Sequence, residues 1–306
     1  MFQKLLTLAA LLLIPTAVHA GSGLKIVATT NDYAALARAI GGDRVTVKSL
    51  AKATEDPHFV DARPSYIVAL NRADILIESG AALEIGWLAP LVKGARNKNV
   101  LPGASGRVRG SVGIQLLDIP VELDRSQGDI HALGNPHFLM DPLNSGIVAR
   151  HLAEVFCRLD ADGCASYQNN LSRFSQMLNT RMKIWTETLA PYGGMPIVTY
   201  HNTWRYFARR FQLQAETFLE PKPGIPPSPP HLARIIEKMK AAGMKVILVE
   251  PFQSRKTAEV LAGHTGATVV DVCQFPGGLP ETPDYFSLMD ANVNSIAQAL
   301  GGVRSN

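Results

Sequence analysis

Cysteine is scarce in this chain, three in 306 residues, and no two of them form a Cys-x-x-Cys pair. That spacing argues against zinc held by thiolates. An excess of charge of one sign is missing too: the net charge is +4, spread along the sequence without a block of like charges or a basic–aromatic alternation. Nucleic acid is therefore not an expected partner. Beyond residue 20 no apolar run reaches the length needed to span a bilayer. Catalytic zinc spacings such as His-Glu-x-x-His are absent as well. A zinc hydrolase using three histidines, a water and Glu250 as general base is thus left without a supporting motif.

What is present begins with an export signal. Lys4 opens a short basic start, Leu5 to Ile14 is apolar, and Val18-His-Ala20 is a small-residue cleavage site. Cleavage after Ala20 is expected, giving a soluble mature protein in the periplasm. No cysteine follows the site, so no lipid anchor is expected. In an exported chain a disulfide is permitted, and Cys157 and Cys164 flank the turn Arg158 to Gly163 at the spacing of a short bridge. Cys273 would then be single.

From Leu24 onward, short apolar strands alternate with helical segments, the pattern of α/β parallel sheets flanked by helices. Strands are expected at Lys25–Thr29, Arg44–Leu50, Asp74–Glu78 and Asn99–Leu101, with helices through Ile40, after Ser65 and over Leu83–Val92. Two consecutive helical stretches then break the alternation. The second, Ala165–Leu189, has no Gly or Pro and is long enough to bridge two lobes. Strand and helix alternate again from Pro196 to the helix Asp284–Leu300. The expected organisation is an N-terminal α/β lobe over residues 21–145, a helical connection over 146–192 and a C-terminal α/β lobe over 193–306.

The chemistry-bearing stretch is Gly128 to Asn144, which sets His131 and His137 in a Gly/Pro-rich segment just before a helix start at Asp141-Pro142. Neutral imidazole is the commonest protein ligand for zinc, and a stiff X-Pro-His turn loses little freedom on coordination. His137 is accordingly read as a metal ligand, with His58 and His201 as partners. His58 follows a strand by way of a loop, and His201 and Asp271 sit at strand carboxyl ends, where open α/β sheets bind ligands. Three imidazoles and the Asp271 carboxylate make a tetrahedral set suited to Zn2+. Such a set leaves no place for an activated water, so it binds and does not hydrolyse. Glu250 is the rival for the fourth position and is better read as orienting a ligand. Asp56 and Glu55 read as loop hydrogen-bonding groups, and His131 as a solvated loop residue, with an auxiliary ligand as the alternative. His151, His231 and His264 read as packing or surface residues.

Taken together, Asp56-Pro-His58 with Arg63-Pro-Ser65, Asn135-Pro-His137 with Asp141-Pro142, Tyr200-His201 with Tyr206-Phe207-Ala208, and Glu250-Pro251 with Val270-Asp271 resemble one family. It is the metal-binding substrate-binding proteins of bacterial ABC transporters, the zinc and manganese family of ZnuA and TroA type. The likeness runs in order along essentially the whole mature chain. It implies two α/β lobes bridged by one long helix, with the metal between them on His58, His137, His201 and Asp271. Zinc members have histidine at the third position where manganese members often have a carboxylate, so His201 points to Zn2+ as the transported ligand. The resemblance also implies an ABC permease of the inner membrane as partner, a monomeric receptor, and a periplasmic metallochaperone as a candidate loader. A manganese or other divalent-metal receptor of the same type is the alternative. The long His/Asp-rich loop of many zinc members is missing, leaving His131 with Asp124 and Asp129.

Overall fold

The computed structural model describes residues 23–121, 131–222 and 224–304. The expected cleavage point after Ala20, together with Asp124 and Asp129, lies outside the described residues. Strands β1 (Leu24–Ala28), β2 (Val45–Ser49), β3 (Ile75–Glu78) and β4 (Arg107–Arg109) form a parallel sheet in the order β2-β1-β3-β4. In the second half, β5 (Pro196–Thr199), β6 (Gln214–Phe218), β7 (Val246–Val249) and β8 (Thr268–Asp271) form another, in the order β6-β5-β7-β8. Parallel sheets are covered on both faces, which is why β7 is an unbroken Val-Ile-Leu-Val run, all of it buried. In both sheets the strand order reverses at the strand that comes first in sequence. The carboxyl ends of β1 and β5 therefore border the crevices where such sheets bind ligands.

The helices complete three layers. On the outer face of the first sheet, Leu70 of α2 (Pro64–Asn71) and Leu91 of α3 (Leu88–Ala95) pack with Val27 and Leu76. The second sheet is covered in the same way by Met239 of α7 (Pro229–Ala241) and Leu261 of α8 (Arg255–Thr265). Between the sheets runs one continuous core drawn from α1 (Asn31–Gly41), α4 (Pro142–Leu159), α5 (Cys164–Leu189), α6 (Arg205–Phe211) and α9 (Tyr285–Arg304). Asp141 caps α4, its side chain accepting from the Leu143 N–H at 3.0 Å, with Pro142 at the first helical position.

Helix α5 joins the lobes. Its buried residues Tyr167, Phe174, Leu178, Trp185 and Leu189 recur at alternating steps of seven and four, one stripe along a 26-residue helix about 39 Å long. Near one end Asn170 donates to the Ile40 carbonyl of α1 at 2.9 Å, and further along Trp185 Nε1 donates to Asp290 of α9 at 2.8 Å. The Cys157–Cys164 disulfide closes the turn between α4 and α5. Cys273 is a free, buried thiol, pushed up to about 12 by burial.

Two elements differ from the sequence expectation. Asn99–Leu101 is not a strand: Asn97 accepts from the Asn99 N–H at 3.0 Å and winds Lys98–Val100 into a 3-10 turn. The edge strand is instead β4, where Arg107 donates to Glu78 of β3 at 2.9 Å. The helix expected over Leu83–Val92 starts only at Leu88, because Glu84 turns inward to accept from Thr29 Oγ1 at 2.6 Å and the Ser79 N–H at 2.8 Å. Pro90 then falls in the first turn, where its missing N–H removes no intrahelical bond.

Candidate metal centre

The segment carrying His137 is stapled to the C-terminal lobe. Tyr206 of α6 accepts from the Leu117 N–H and donates to the Asn135 carbonyl, both at 2.8 Å. Tyr285 donates to the Leu139 carbonyl at 2.8 Å, and Arg210 grips Asp141 with two bonds of 2.8 and 2.7 Å. Asn135 also accepts from the His137 N–H at 3.0 Å, forming the stiff turn that the Asn-Pro-His spacing suggests. His137 is thereby held between the lobes with 4% of its surface exposed.

His58 and His201 meet it there. Ring centroids are 5.3 Å apart for His58 and His137, 5.1 Å for His58 and His201, and 5.3 Å for His137 and His201. Each ring is held at Nδ1 by an oxygen acceptor. Asp56 takes His58 at 2.8 Å, the Gln274 amide oxygen takes His137 at 2.9 Å, and Glu220 takes His201 at 3.0 Å. Carboxylate and amide oxygens only accept, so each Nδ1 carries the proton and each Nε2 presents a lone pair. The Nε2 atom of His137 is buried without a hydrogen-bond partner, a cost that a metal ion would remove. The Trp87 indole holds the His58 loop by donating to the Pro57 carbonyl at 2.9 Å.

Every strand end of the C-terminal lobe contributes: His201 follows β5, Glu220 follows β6, Glu250 follows β7 and Gln274 follows β8. A cavity of about 260 Å³ lined by His58, His201, Glu220, Gln253 and Gln274 opens beside the histidines. Gln274 is set by the tight turn after it, in which a Cβ on Gly278 would lie 2.2 Å from Cys273 Sγ. His131 also joins the cluster, its Nε2 3.1 Å from His58 Nε2, which replaces the solvated-loop reading of that residue. His58, His131 and His137 each offer a ring nitrogen within 4.8 Å of the other two.

Asp271 is not brought to this cluster. At the end of β8 its side chain is 64% exposed and is paired with Arg255 of α8. The chain must run on through buried Val272 and Cys273 before it reaches the cavity at Gln274. Glu250 lies inside but touches none of the imidazoles: one oxygen accepts from Gln253 at 3.1 Å and Thr203 at 3.4 Å, while Oε1 is buried and unpartnered.

Burial sets the electrostatics. It pushes His137 well below the ordinary imidazole value, with the neighbouring histidines acting the same way, and lowers His131 to about 3. Both are therefore neutral and ready to coordinate. Glu250 is raised to about 8 by burial and by the charges of Asp56 and Glu220, so at neutral pH it is mostly protonated. For Asp56 burial pulls upward, yet the hydrogen bonds and charge of His58 outweigh it and hold the carboxyl below its usual range.

Comparison with known proteins identifies the family and the fold. The family model "ZnuA: Zinc-uptake complex component A periplasmic" matches residues 26–299. The metal ABC transporter substrate-binding lipoprotein SsaB of Streptococcus sanguinis is 24% identical over 293 residues, spanning 91% of this chain and 90% of that protein. A crystal structure of a ZnuA deletion mutant with zinc bound has a TM-score of 0.76 at 24% identity, covering 90% of this chain and 98% of the other. FpvC of Pseudomonas aeruginosa in complex with Mn2+ has a TM-score of 0.76 at 22% identity, covering 92% and 99%. At such identities the structural likeness establishes the shared two-lobed α/β fold.

Proposed function

Because the chain belongs to the ZnuA family of periplasmic zinc-uptake components, we propose that it captures Zn2+ in the periplasm and delivers it to an ABC permease of the inner membrane. Members of this family are metal-binding substrate-binding proteins of transporters and not enzymes. The observation that carries the zinc reading is the donor set. His58, His137 and His201 converge with Nδ1 held and Nε2 free, and imidazole suits zinc better than the oxygen-seeking manganese ion. Relatives differ in the metal their names specify, manganese for some and iron for others, so donor chemistry has to decide. The receptor acts as a monomer in this reading, with a periplasmic metallochaperone as a candidate source of the ion.

The test is a chelator-competition titration of the metal-free protein with Zn2+ and Mn2+, alongside His137→Ala. One equivalent of zinc should bind tightly, manganese much more weakly, and His137→Ala should lose the zinc. Equal or stronger manganese binding would defeat the zinc assignment. Undiminished zinc binding by the alanine variant would defeat the site.

A further inference from the structure

Three histidines leave one position of a tetrahedral ion to be filled. We infer that His131 fills it, so that the centre is a four-imidazole site for nitrogen-preferring divalent cations and Asp271 takes no part; this rests on the zinc-receptor reading above.

The geometry carries the argument. A tetrahedral ion with metal–nitrogen bonds of about 2.0–2.1 Å separates its donors by roughly 3.4 Å. The Nε2 atoms of His58 and His131 stand 3.1 Å apart, close to that spacing, and the His131 ring centroid is 5.1 Å from that of His58 and 6.4 Å from that of His137. With His58 protonated on Nδ1 by its bond to Asp56, its Nε2 lone pair faces His131. Two ring nitrogens converge in this way when one lends the other a proton or when both face a cation.

Neither rival carboxylate is hydrogen-bonded to a histidine of the cluster. Asp271 is held by Arg255 on the outer side of β8, and the residue that reaches the cavity from that strand is Gln274, whose oxygen is occupied by His137 Nδ1. Glu250 is bound through Oε2 by Gln253 and Thr203, and its buried, unpartnered Oε1 accepts from no histidine. Among the described residues, the ring nitrogens that all lie within 4.8 Å of one another are those of His58, His131 and His137, with His201 at the edge of that group. A sphere made wholly of imidazole favours zinc and the later first-row ions and offers manganese no direct carboxylate oxygen.

The experiment compares His131→Ala, His131→Gln, Asp271→Ala and His137→Ala as metal-free proteins, by zinc competition and by the visible spectrum of the Co2+ form. Loss of one of four ligands should weaken zinc binding on the order of 100-fold in both His131 variants and weaken the intense absorption of four-coordinate cobalt. Asp271→Ala should bind as the parent does. Melting of the metal-free variants confirms that they are folded, and His131→Gln preserves polarity should the alanine protein be unstable. Parental affinity and cobalt spectrum in both His131 variants, or a loss in Asp271→Ala instead, would overturn the inference while leaving the receptor reading intact. Zinc binding that survives in His137→Ala would remove the receptor site itself and this inference with it.

Discussion

Replacing Gln274 by alanine removes the acceptor that orients His137 and leaves the ring in place. The bond is 2.9 Å long, and His137 is 4% exposed, so little solvent can reach Nδ1 to take over the lost contact. Groups that hold a ligand histidine through its second nitrogen typically govern 10–100-fold in metal affinity, about 1.4–2.7 kcal/mol. Leaving the buried N–H unpaired costs a further ~1–3 kcal/mol, which falls on folding stability and not on affinity. The metal-free protein carries the same orphaned N–H, so it should melt a few degrees lower as well, at about 2–4 °C per kcal/mol for a chain of this size. The assay is zinc competition at neutral pH on parent, Gln274→Ala and Gln274→Glu. The glutamate variant keeps an acceptor and should recover most of the affinity. Affinity within about twofold of the parent in Gln274→Ala, with His137→Ala inactive, would show that packing alone orients the ring and refute the reasoning.

Two further outcomes follow from buried charges outside the histidine cluster. Glu84 is raised to about 7 by burial, so between its ordinary value of 4.5 and about 7 the folded chain keeps a proton that the unfolded chain has lost. Its stabilising contribution is complete below 4.5 and disappears as pH rises through about 7; Glu84→Gln should flatten that part of the stability–pH curve in denaturant titrations, and an unchanged slope would count against it. Asp141→Ala should cost about 1–2 kcal/mol through the lost cap and the lost Arg210 pair, whereas Asp141→Asn restores the cap share; equal melting points for the two variants would contradict this division.

Much of the fold was legible because its strands are short apolar runs bounded by turn residues and its long helix lacks Gly and Pro. The expected Ala165–Leu189 is one residue short of Cys164–Leu189, and the expected strand Asp74–Glu78 is one residue longer than β3. What misled the reading was side-chain capture by distant groups. In β4, Arg-Val-Arg is a poor strand by composition, and it pairs because Arg107 finds Glu78. Glu84 sits in a run that looks helical, yet Thr29 and Ser79 take its carboxyl 55 and five residues away in sequence. Such partners are fixed by the sheet and cannot be read from neighbouring residues.

At the centre itself, the three histidines were legible from their Pro-His and strand-end settings, while the acceptors behind two of them were not. Glu220 stands just past the end of β6, where the strand-end rule would have found it; Gln274 lies three residues beyond the carboxylate that drew attention, and an amide is a weak signal on its own. In the proposed site, those acceptors account for how four neutral imidazoles would hold a doubly charged ion. His131 and His137 contribute no charge, Glu250 at about 8 is mostly protonated near neutrality, and Gln274 is neutral. The compensating charge comes from Asp56 and Glu220, two carboxylates one hydrogen bond removed from the ion, behind His58 and His201. Two negative charges balance the ion's two positive ones without either oxygen touching it. An ion that seeks oxygen then gains little from them directly, whereas one that accepts nitrogen receives donors made more basic by the carboxylates behind them. Moving either carboxylate onto the metal would therefore weaken discrimination against manganese even if total affinity were unchanged.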